Sequence, residues 1–250
     1  MPPKRLSQKE QKLIRSLQIK KYRDESGLFV AEGPKVIETL LPHFTLELLV
    51  ANSGLELTDP QKARIATDDE LRKLSGLTSP ASQIALFRLP GNTTDFGLPQ
   101  KGITVVLDNI QNPGNLGTII RLCDWLGIKT LIMNGGTADP FSPKVVQATA
   151  GALGNVRLIR TGDLRGTLDS LGFERVIGTS LGGTPVSHIS SISPDEHVAV
   201  LFGNEGHGLS EELEKRCTEL LLIPPAETTV SESLNVSVSA AILLSRLAGL

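Results

Sequence analysis

Three clusters rich in asparagine and glycine carry the side chains of this chain that are best suited to chemistry. Each cluster follows a short apolar run that reads as a buried strand. They are Asn112–Gly117 leading to Arg121, then Gly203–Gly206, then Ser233–Ser237. Ligands of open α/β sheets bind at the carboxyl ends of strands, where loops and helix N-termini offer free backbone donors. The three clusters therefore predict one composite site.

The first cluster combines a glycine with an arginine one helical turn later. Asn115 is predicted to cap the helix that follows, and Arg121 would reach back over Gly117, because helical side chains tilt toward the N-terminus. A glycine inside a helix costs about 1 kcal/mol relative to alanine. That cost is explained if a substrate needs the space above Gly117. The alternative is a simple cap at Asn115 and a surface cation at Arg121.

The second cluster is a glycine-rich loop with one carboxylate, Glu205. Its glycines allow a ligand to approach the backbone closely. The alternative role for Glu205 is to cap or neutralise the helix predicted near Ser210. His207 lies between two glycines with no evident orienting partner, so we interpret it as incidental.

The third cluster follows the apolar run that ends at Ile223. Ser231, Glu232 and Ser233 are all good helix-start residues, with Asn235 in the predicted first turn. Taken alone, this segment simply contains more N-cap candidates than one helix start needs. A small polar ligand in the preceding loop could instead be held by backbone groups of Ile223 and Leu234.

Missing motifs argue against sites for nucleotide triphosphates, dinucleotides and zinc. No glycine-rich dinucleotide loop follows a strand, and no phosphate-binding P-loop, zinc-protease helix or paired C-x-x-C motif occurs. The sequence thus predicts no metal.

Apolar residues are 40% of the chain, and no apolar run is as long as a membrane span. The two cysteines lack metal-ligand spacing and suit a reducing compartment. We expect a cytoplasmic protein with no membrane contact.

Positive charge is concentrated at the N-terminus, although the net charge is −2. Eight basic residues precede position 24, against the single acid Glu10. They are Lys4, Arg5, Lys9, Lys12, Arg15, Lys20, Lys21 and Arg23. Phosphate pairing needs local positive charge, so this segment predicts an RNA contact, the alternative being a solvated helix face or tail.

The sequence predicts two domains that position these residues. A stretch rich in Pro, Gly, Asn and Thr marks a linker at 91–100, between a small α/β domain at 1–90 and a larger domain at 101–250. Strand and helix alternate clearly in the larger domain, which predicts a mostly parallel sheet covered on both faces. Predicted elements there include a helix at 116–126, a strand at 175–178 and a final helix at 234–247. The final helix carries a broad apolar stripe for the sheet or another subunit.

In this order, the three clusters resemble the SpoU/TrmH family of RNA 2′-O-ribose methyltransferases, within the SPOUT superfamily. The resemblance covers essentially all of 101–250. The first domain resembles, more loosely, the ribosomal-protein-like RNA-binding domain that many members carry, through Glu32-Gly33-Pro34 and the basic lead-in. The segment Pro224–Glu232 is longer than we expect between Ile223 and Ser233.

The resemblance implies a C-terminal α/β trefoil-knot domain, a homodimer that completes the site, and the methyl donor S-adenosylmethionine. The donor would be held at Gly203, Asn204, Gly206, Ile223 and Leu234. Catalysis would use Arg121, Asn115, Glu205, Ser233 and Asn235. The substrate would be a ribose of structured RNA, and the separate RNA-binding domain favours ribosomal over transfer RNA.

Three other functions stay open from the sequence. A non-catalytic RNA-binding or ribosome-assembly protein could use the same scaffold. Related knotted families methylate a base instead of a ribose. A small-molecule α/β enzyme is the third alternative, and it leaves the basic N-terminus unexplained.

Overall fold

The computed structural model describes residues 4–52, 60–91 and 101–250. Contacts divide the chain into an N-terminal unit, Met1–Asn92 with Asp139–Gly154, and a C-terminal unit, Thr93–Ala138 with Asn155–Leu250. Residues 139–154 fall within the range predicted for the larger domain, but they cluster with the N-terminal unit. Most of the predicted linker, residues 92–100, lies outside the described residues.

The described strands form two sheets, one in each unit. In chain order they are β1 (Lys4–Arg5), β2 (Leu28–Glu32), β3 (Leu46–Ala51), β4 (Ala63–Ile65), β5 (Gln83–Arg88), β6 (Gly102–Leu107), β7 (Thr130–Asn134), β8 (Arg157–Thr161), β9 (Arg175–Pro185), β10 (His197–Phe202) and β11 (Glu219–Leu222).

The helices lie between these strands along the chain, with the last helix after the final strand. In chain order they are α1 (Gln8–Ser16), α2 (Lys20–Ser26), α3 (Pro34–Leu40), α4 (Asp68–Leu74), α5 (Pro113–Trp125), α6 (Pro143–Ala148), α7 (Leu164–Leu171), α8 (Glu211–Glu214) and α9 (Val236–Leu247). Within the described part of the chain, no helix has the length and apolar character needed to cross a bilayer.

The N-terminal unit is a mixed sheet in the order β1-β4-β3-β5-β2. Because side chains alternate along a strand, β2 supplies two cores. Leu28 and Val30 pack in an aliphatic cluster with Ile14 of α1. Phe29 points the other way and meets Phe141, whose ring centroid is 5.1 Å away. Residues 139–154 thus belong to the hydrophobic core of this unit.

Parallel pairing throughout the C-terminal sheet confirms the α/β prediction, with the order β11-β9-β10-β6-β7-β8. The central strands β6 and β10 are buried on both faces, as their continuous apolar sequences require. The chain runs outward from β6 to β8 and then continues on the other side of β6. The carboxyl ends of β6 and β10 therefore meet at a topological switch point, the usual ligand position in such sheets.

Local signals predicted most elements, and several helix or strand limits differ. A capping box formed by Ser7 and Glu10 starts α1. The prediction that Asn115 caps α5 is wrong: Asn112 is the cap, and α5 starts at Pro113. Asn235 likewise caps α9 instead of lying in its first turn. Strand β9 runs to Pro185, past the predicted end at Gly178.

Candidate active site

The first cluster forms the turn between β6 and α5. The side chain of Asn112 accepts hydrogen bonds from the backbone N–H groups of Gly114 and Asn115, satisfying donors that a helix start leaves unpaired. Pro113 occupies the first helical position, where its missing N–H costs nothing. With its backbone held in this first turn, Asn115 has a side chain free to bond elsewhere.

The second cluster is a tight loop after β10. Asn204 and Gly208 exchange two backbone hydrogen bonds, of 2.9 and 2.8 Å, which close the loop. Gly203 lies directly beneath that closure, since a Cβ there would be 2.1 Å from the backbone carbon of Gly208. Only glycine fits, and the requirement comes from the loop itself. Glu205 is exposed near the tip of the loop, and so is His207, which has no hydrogen-bond partner among the described residues.

The third cluster leads into α9. The side-chain oxygen of Asn235 accepts from the backbone N–H and the hydroxyl of Ser237, at 2.9 and 2.6 Å. This fixes the amide and turns its nitrogen away from the helix. Ser233 is exposed without a hydrogen-bond partner in the described part of the chain, and Leu234 is 49% exposed.

Side chains from all three clusters are joined by two hydrogen bonds. Asn235 Nδ2 donates to Asn115 Oδ1 at 3.0 Å, and Asn115 Nδ2 donates to Glu205 Oε1 at 2.7 Å. Asn115 is the central member, and its amide orientation is set by a donor on one side and a carboxylate on the other. Of the residues expected in the composite site, the structure therefore brings Asn115, Glu205 and Asn235 together. Asn235 and Glu205 are exposed and Asn115 is half-buried, so a ligand can reach them.

Arg121 is not joined to this chain of hydrogen bonds. It follows Asn115 by six positions on α5, which places it about 9 Å further along the axis and on a different face. Its side chain is exposed and has no hydrogen bond or ion pair with any described residue. The structure thus leaves the guanidinium available to a ligand or to another chain.

Backbone groups near the site fit a ligand that is held by main-chain contacts. Gly203, Ile223 and Leu234 form none of the turn, loop or cap backbone hydrogen bonds among the described residues. Unpaired main-chain groups need a partner from solvent or from a ligand. The exposed Leu234 side chain adds apolar surface next to Asn235 in the chain. These features suit the polar edges and apolar face of a nucleoside such as the expected methyl donor, so the residues present fit that group.

The other two residues expected at the donor site have structural roles in the loop. Asn204 Nδ2 donates to the backbone oxygen of Asn109 at 2.9 Å, and Asn204 Oδ1 accepts from the N–H of Gly206 at 2.9 Å. Asn204 thus ties the second cluster to the turn that precedes the first. Its side chain is occupied by these two bonds.

A buried polar network at the end of β6 was missed at the sequence level. Asp108 is 3% exposed, and its carboxylate accepts from Asn109 Nδ2, Asn134 Nδ2 and the backbone N–H of Ser210. The sequence did contain a signal for this network: Asp108 directly follows a strand that is buried on both faces. A carboxylate in such a place requires several hydrogen-bond partners.

The basic residues near the N-terminus separate into two groups. Seven of the eight are exposed on the N-terminal unit, on β1, α1 and α2: Lys4, Arg5, Lys9, Lys12, Arg15, Lys20 and Lys21. Arg23 is the exception, because it is 3% exposed and its Nη2 lies 2.6 Å from Oδ2 of Asp139. Its guanidinium also donates to the backbone oxygen of Leu17. A phosphate cannot reach Arg23, and we remove it from the expected RNA surface.

Neither a metal nor a thiol provides an alternative centre among the residues described. Clusters of His, Cys, Asp and Glu that could hold a metal ion are absent from 4–52, 60–91 and 101–250. Both cysteines are free thiols. Burial raises the pKa of Cys123 to about 12 and that of Cys217 to about 11, so neither is a thiolate near neutral pH.

The chain is similar in sequence and in fold to known proteins. The chain matches the SpoU rRNA Methylase family over residues 102–245 and the MRM3-like substrate binding domain over residues 9–85. A 23S rRNA (guanosine(2553)-2′-O)-methyltransferase of Bacillus subtilis is 31% identical over 94% of each chain. A putative RNA methyltransferase of the TrmH family from Porphyromonas gingivalis, solved as a structure, is 34% identical, with a TM-score of 0.87 over 97% of this chain and 98% of that one.

A second solved structure was determined with the methyl donor bound. It is an AdoMet-bound rRNA methyltransferase from Sinorhizobium meliloti, 30% identical to this chain, with a TM-score of 0.84. The match covers 99% of this chain and 97% of that one.

Proposed function

The chain belongs to the SpoU rRNA Methylase family, and from this premise we propose that it transfers a methyl group from S-adenosylmethionine to a ribose 2′-hydroxyl of ribosomal RNA. The observation that carries the proposal is the hydrogen-bonded chain Asn235–Asn115–Glu205, which unites three segments distant in sequence. Further support comes from similarity to the Bacillus subtilis enzyme over 94% of the chain, which makes 23S rRNA the first substrate to test.

The donor, when bound, supplies a methyl group already activated on a sulfonium. The protein therefore has to align the ribose hydroxyl and ease the loss of its proton. Asn115, Glu205 and Asn235 are suited to the alignment, because they hold one another in fixed orientations at the carboxyl edge of the sheet. The exposed Ser233 hydroxyl precedes Asn235 by two residues and would contact the ribose or Arg121.

We assign to Arg121 the binding of the phosphate beside the target ribose. A guanidinium is protonated at all physiological pH values and is a poor base. Its fixed donors instead suit the binding of a phosphate and the stabilisation of the alkoxide that develops on the 2′-oxygen. The proton would pass to phosphate or water. The free, exposed guanidinium on α5 is consistent with this role.

RNA would be captured by the N-terminal unit. Lys9, Lys12 and Arg15 are spaced by three along the exposed side of α1, and none has a partner among the described residues. Unpaired cations gain most from phosphate contact, because they release counterions without breaking an ion pair. Similarity of residues 9–85 to a substrate-binding domain supports the assignment.

A second copy of the chain would complete the site. Leu234, just before α9, and Val238 and Ile242 on α9 form an apolar stripe in which they are 49%, 48% and 41% exposed, and Trp125 on α5 is 85% exposed. This stripe begins beside Asn235, so a homodimer covering it would be continuous with the proposed catalytic residues. It could also bring in the Arg121 that a single chain leaves outside the hydrogen-bonded group.

Light scattering of Ile242→Asp tests the dimer. We expect the wild type to be dimeric and this variant to be monomeric, while Ile19→Asp, a change at a 56% exposed apolar residue of the N-terminal unit, remains dimeric. A monomeric wild type would remove the dimer from the proposal.

Two further parts of the proposal concern topology and location. We assign a trefoil knot to the last third of the C-terminal unit, supported by its match to the SpoU rRNA Methylase family. The two free cysteines support a cytoplasmic location.

Replacement of Arg121 by Ala tests the proposed function. Purified protein is incubated with labelled S-adenosylmethionine and rRNA, methylated nucleotides are mapped by nuclease digestion, and donor binding is measured by calorimetry. We expect Arg121→Ala to bind the donor normally and to lose transfer by at least about a hundredfold. Arg165→Ala, at an exposed surface ion pair with Glu212, is the matched control and should retain activity.

Each other outcome rejects a defined part of the proposal. Near-normal turnover by Arg121→Ala would remove the role of the arginine. A methyl group mapped to a base would replace the ribose by a base-directed reaction. Absence of donor binding by the wild type would indicate a non-catalytic RNA-binding protein.

A further inference from the structure

Asp108 lies where three strand ends of the C-terminal sheet meet. Its backbone N–H donates to the oxygen of Phe202 at 2.9 Å, the last bond between the ends of β6 and β10. Its side chain is 3% exposed and faces the ends of β7 and of the second-cluster loop. A carboxylate is costly to bury, and this one is satisfied only because donors converge on both of its oxygens.

The partners of Asp108 come from separate segments. Oδ1 accepts from Asn109 Nδ2 and Asn134 Nδ2, both at 2.8 Å, and Oδ2 accepts from the backbone N–H of Ser210 at 2.9 Å. Ser210 follows directly after the Gly203–Leu209 loop that carries Glu205. The carboxylate therefore holds the far end of that loop, while β10 holds the near end.

The Asn134 side chain is itself held in one orientation by hydrogen bonds, so it offers Asp108 a donor in a fixed position. Its Oδ1 accepts from the backbone N–H groups of Asn109 and Thr137, both at 3.1 Å. It also accepts from the Thr137 hydroxyl at 3.0 Å. With the oxygen occupied by three donors, the amide nitrogen must point at Asp108. Asn109 completes the group, because its backbone oxygen accepts from Asn204 Nδ2 at the base of the same loop.

We propose that Asp108 is a positioning residue of the methyl-transfer site, whose carboxylate sets the loop that presents Gly203 and Glu205. The inference rests on the proposed function for its kinetic consequence, whereas the ordering of the loop stands on the hydrogen bonds alone. Asp108 touches neither substrate nor donor in this role. It acts through Ser210 and Asn134, which fix where the donor-binding turn and the Asn115–Glu205 bond lie.

A reciprocal exchange of Asp108 and Asn134 provides a sharp test. In Asp108→Asn, an amide nitrogen replaces one carboxylate oxygen. In either orientation this nitrogen faces another hydrogen-bond donor, because Asn109 Nδ2, Asn134 Nδ2 and the backbone N–H of Ser210 all donate to the carboxylate. In Asn134→Asp, two carboxylates are placed where a 2.8 Å hydrogen bond existed. In the double variant, Asn at 108 can donate to Asp at 134 and still accept from Ser210. Only the bond from Asn109 Nδ2 is lost.

The three variants are compared with the wild type by hydrogen exchange of peptides covering 203–210, by calorimetric binding of S-adenosylmethionine, and by kcat and KM. For each single variant we expect faster exchange in the loop and a loss of about tenfold to a hundredfold in kcat/KM, mostly as a raised KM for the donor. The double variant should recover to within about threefold of the wild type, as coupled sites do. Asp163→Asn, which changes the N-cap carboxylate of α7, is the matched control and should leave loop exchange and kinetics unchanged.

Every outcome decides the proposal. Wild-type exchange and kinetics in Asp108→Asn, or additive losses in the double variant, would overturn it. If a single variant does not fold, the folding, loop protection and donor binding of the double variant decide in its place. If the wild type methylates no RNA, the proposed function fails, while loop exchange continues to test the positioning by Asp108 independently.

Discussion

Asn115 Nδ2 donates a 2.7 Å hydrogen bond to Glu205 Oε1 across 90 positions of sequence. A bond between a charged acceptor and an amide donor is stronger than a neutral one. It links the helix after β6 to the loop after β10 at the topological switch point of the sheet. The relationship makes Glu205 an orienting group for Asn115, and through it for Asn235.

Substitutions at Glu205 should separate its charge from its hydrogen bond. Glu205→Ala removes the acceptor and should lower kcat by about tenfold to a hundredfold, because Asn115 can rotate away from the ribose. Glu205→Gln can still accept from Asn115 and should retain most of the activity. Steady-state kinetics with saturating donor measure both, and equal losses in the two variants would contradict an orienting role.

Alanine substitutions at two glycines of the same loop should differ in their effect on donor binding. Gly203→Ala places a Cβ 2.1 Å from Gly208 backbone carbon, so the loop must open and donor binding should fall by at least about tenfold. Gly206→Ala meets only Asn204 Oδ1 at 3.5 Å, an ordinary contact, and should bind normally. Calorimetric titration with S-adenosylmethionine compares them, and equal affinities would rule out the steric argument.

Neutralising the unpaired cations of α1 should weaken RNA binding in a salt-dependent way. For Lys9→Gln/Lys12→Gln/Arg15→Gln, the slope of log K against log salt concentration should drop by about 2 to 3. Lys20→Gln/Lys21→Gln is the comparison, and it should change the slope less, because these lysines already pair with Asp24 and Glu25. Filter binding over a salt series tests this, and a slope unchanged in the triple variant would exclude α1 from the RNA surface.

Removal of one partner of the buried Arg23–Asp139 pair should destabilise the N-terminal unit. Arg23→Met leaves the half-buried Asp139 carboxylate without its cation and should cost about 3–5 kcal/mol of unfolding free energy. Arg23→Met/Asp139→Leu removes both charges and should cost less than the single change. Urea denaturation followed by circular dichroism measures the difference, and a double variant at least as unstable as the single one would show that charge burial is not the cause.

Thiol chemistry should report folding, because burial raises the pKa of Cys123 to about 12 and of Cys217 to about 11 from an ordinary 9.0. At pH 8 both thiols should react with a disulfide reagent far more slowly in the folded than in the denatured protein. Above about pH 9 the unfolded thiols ionise first, so the free energy of unfolding should decrease between pH 9 and about 12. Rapid modification of both thiols at pH 8 without unfolding would contradict this.

The elements that carry the site were predictable from sequence because their signals are local. Continuous apolar runs marked β6 and β10, and the asparagine and glycine clusters marked the loops that follow them. Helix limits were less predictable, because several polar residues compete to be the cap. Asn112 and Asn115 are both suitable caps for α5, and only the turn geometry after β6 selects Asn112.

Two features depend on tertiary contacts that a sequence pattern does not contain. Arg23 lies among exposed cations in the sequence, and its burial follows from Asp139, a partner 116 positions away. The carboxylate of Asp108 was visible as a residue at a strand end, but its partners Asn134 and Ser210 belong to other segments. Helix α2 was also missed, because the segment KKYRDES is polar on almost every side and shows no helical apolar period.

Residues 139–154 belong to the N-terminal unit, and this limits how domain chimeras of such a chain can be designed. A chimera joined near residue 91 would exchange the first segment of the proposed RNA-binding unit but leave Phe141 and Asp139 behind, with neither aromatic neighbours nor a cation. Transplanting a foreign substrate module therefore requires moving 139–154 together with it. The unit to which we assign RNA recognition is encoded by two stretches of sequence instead of one.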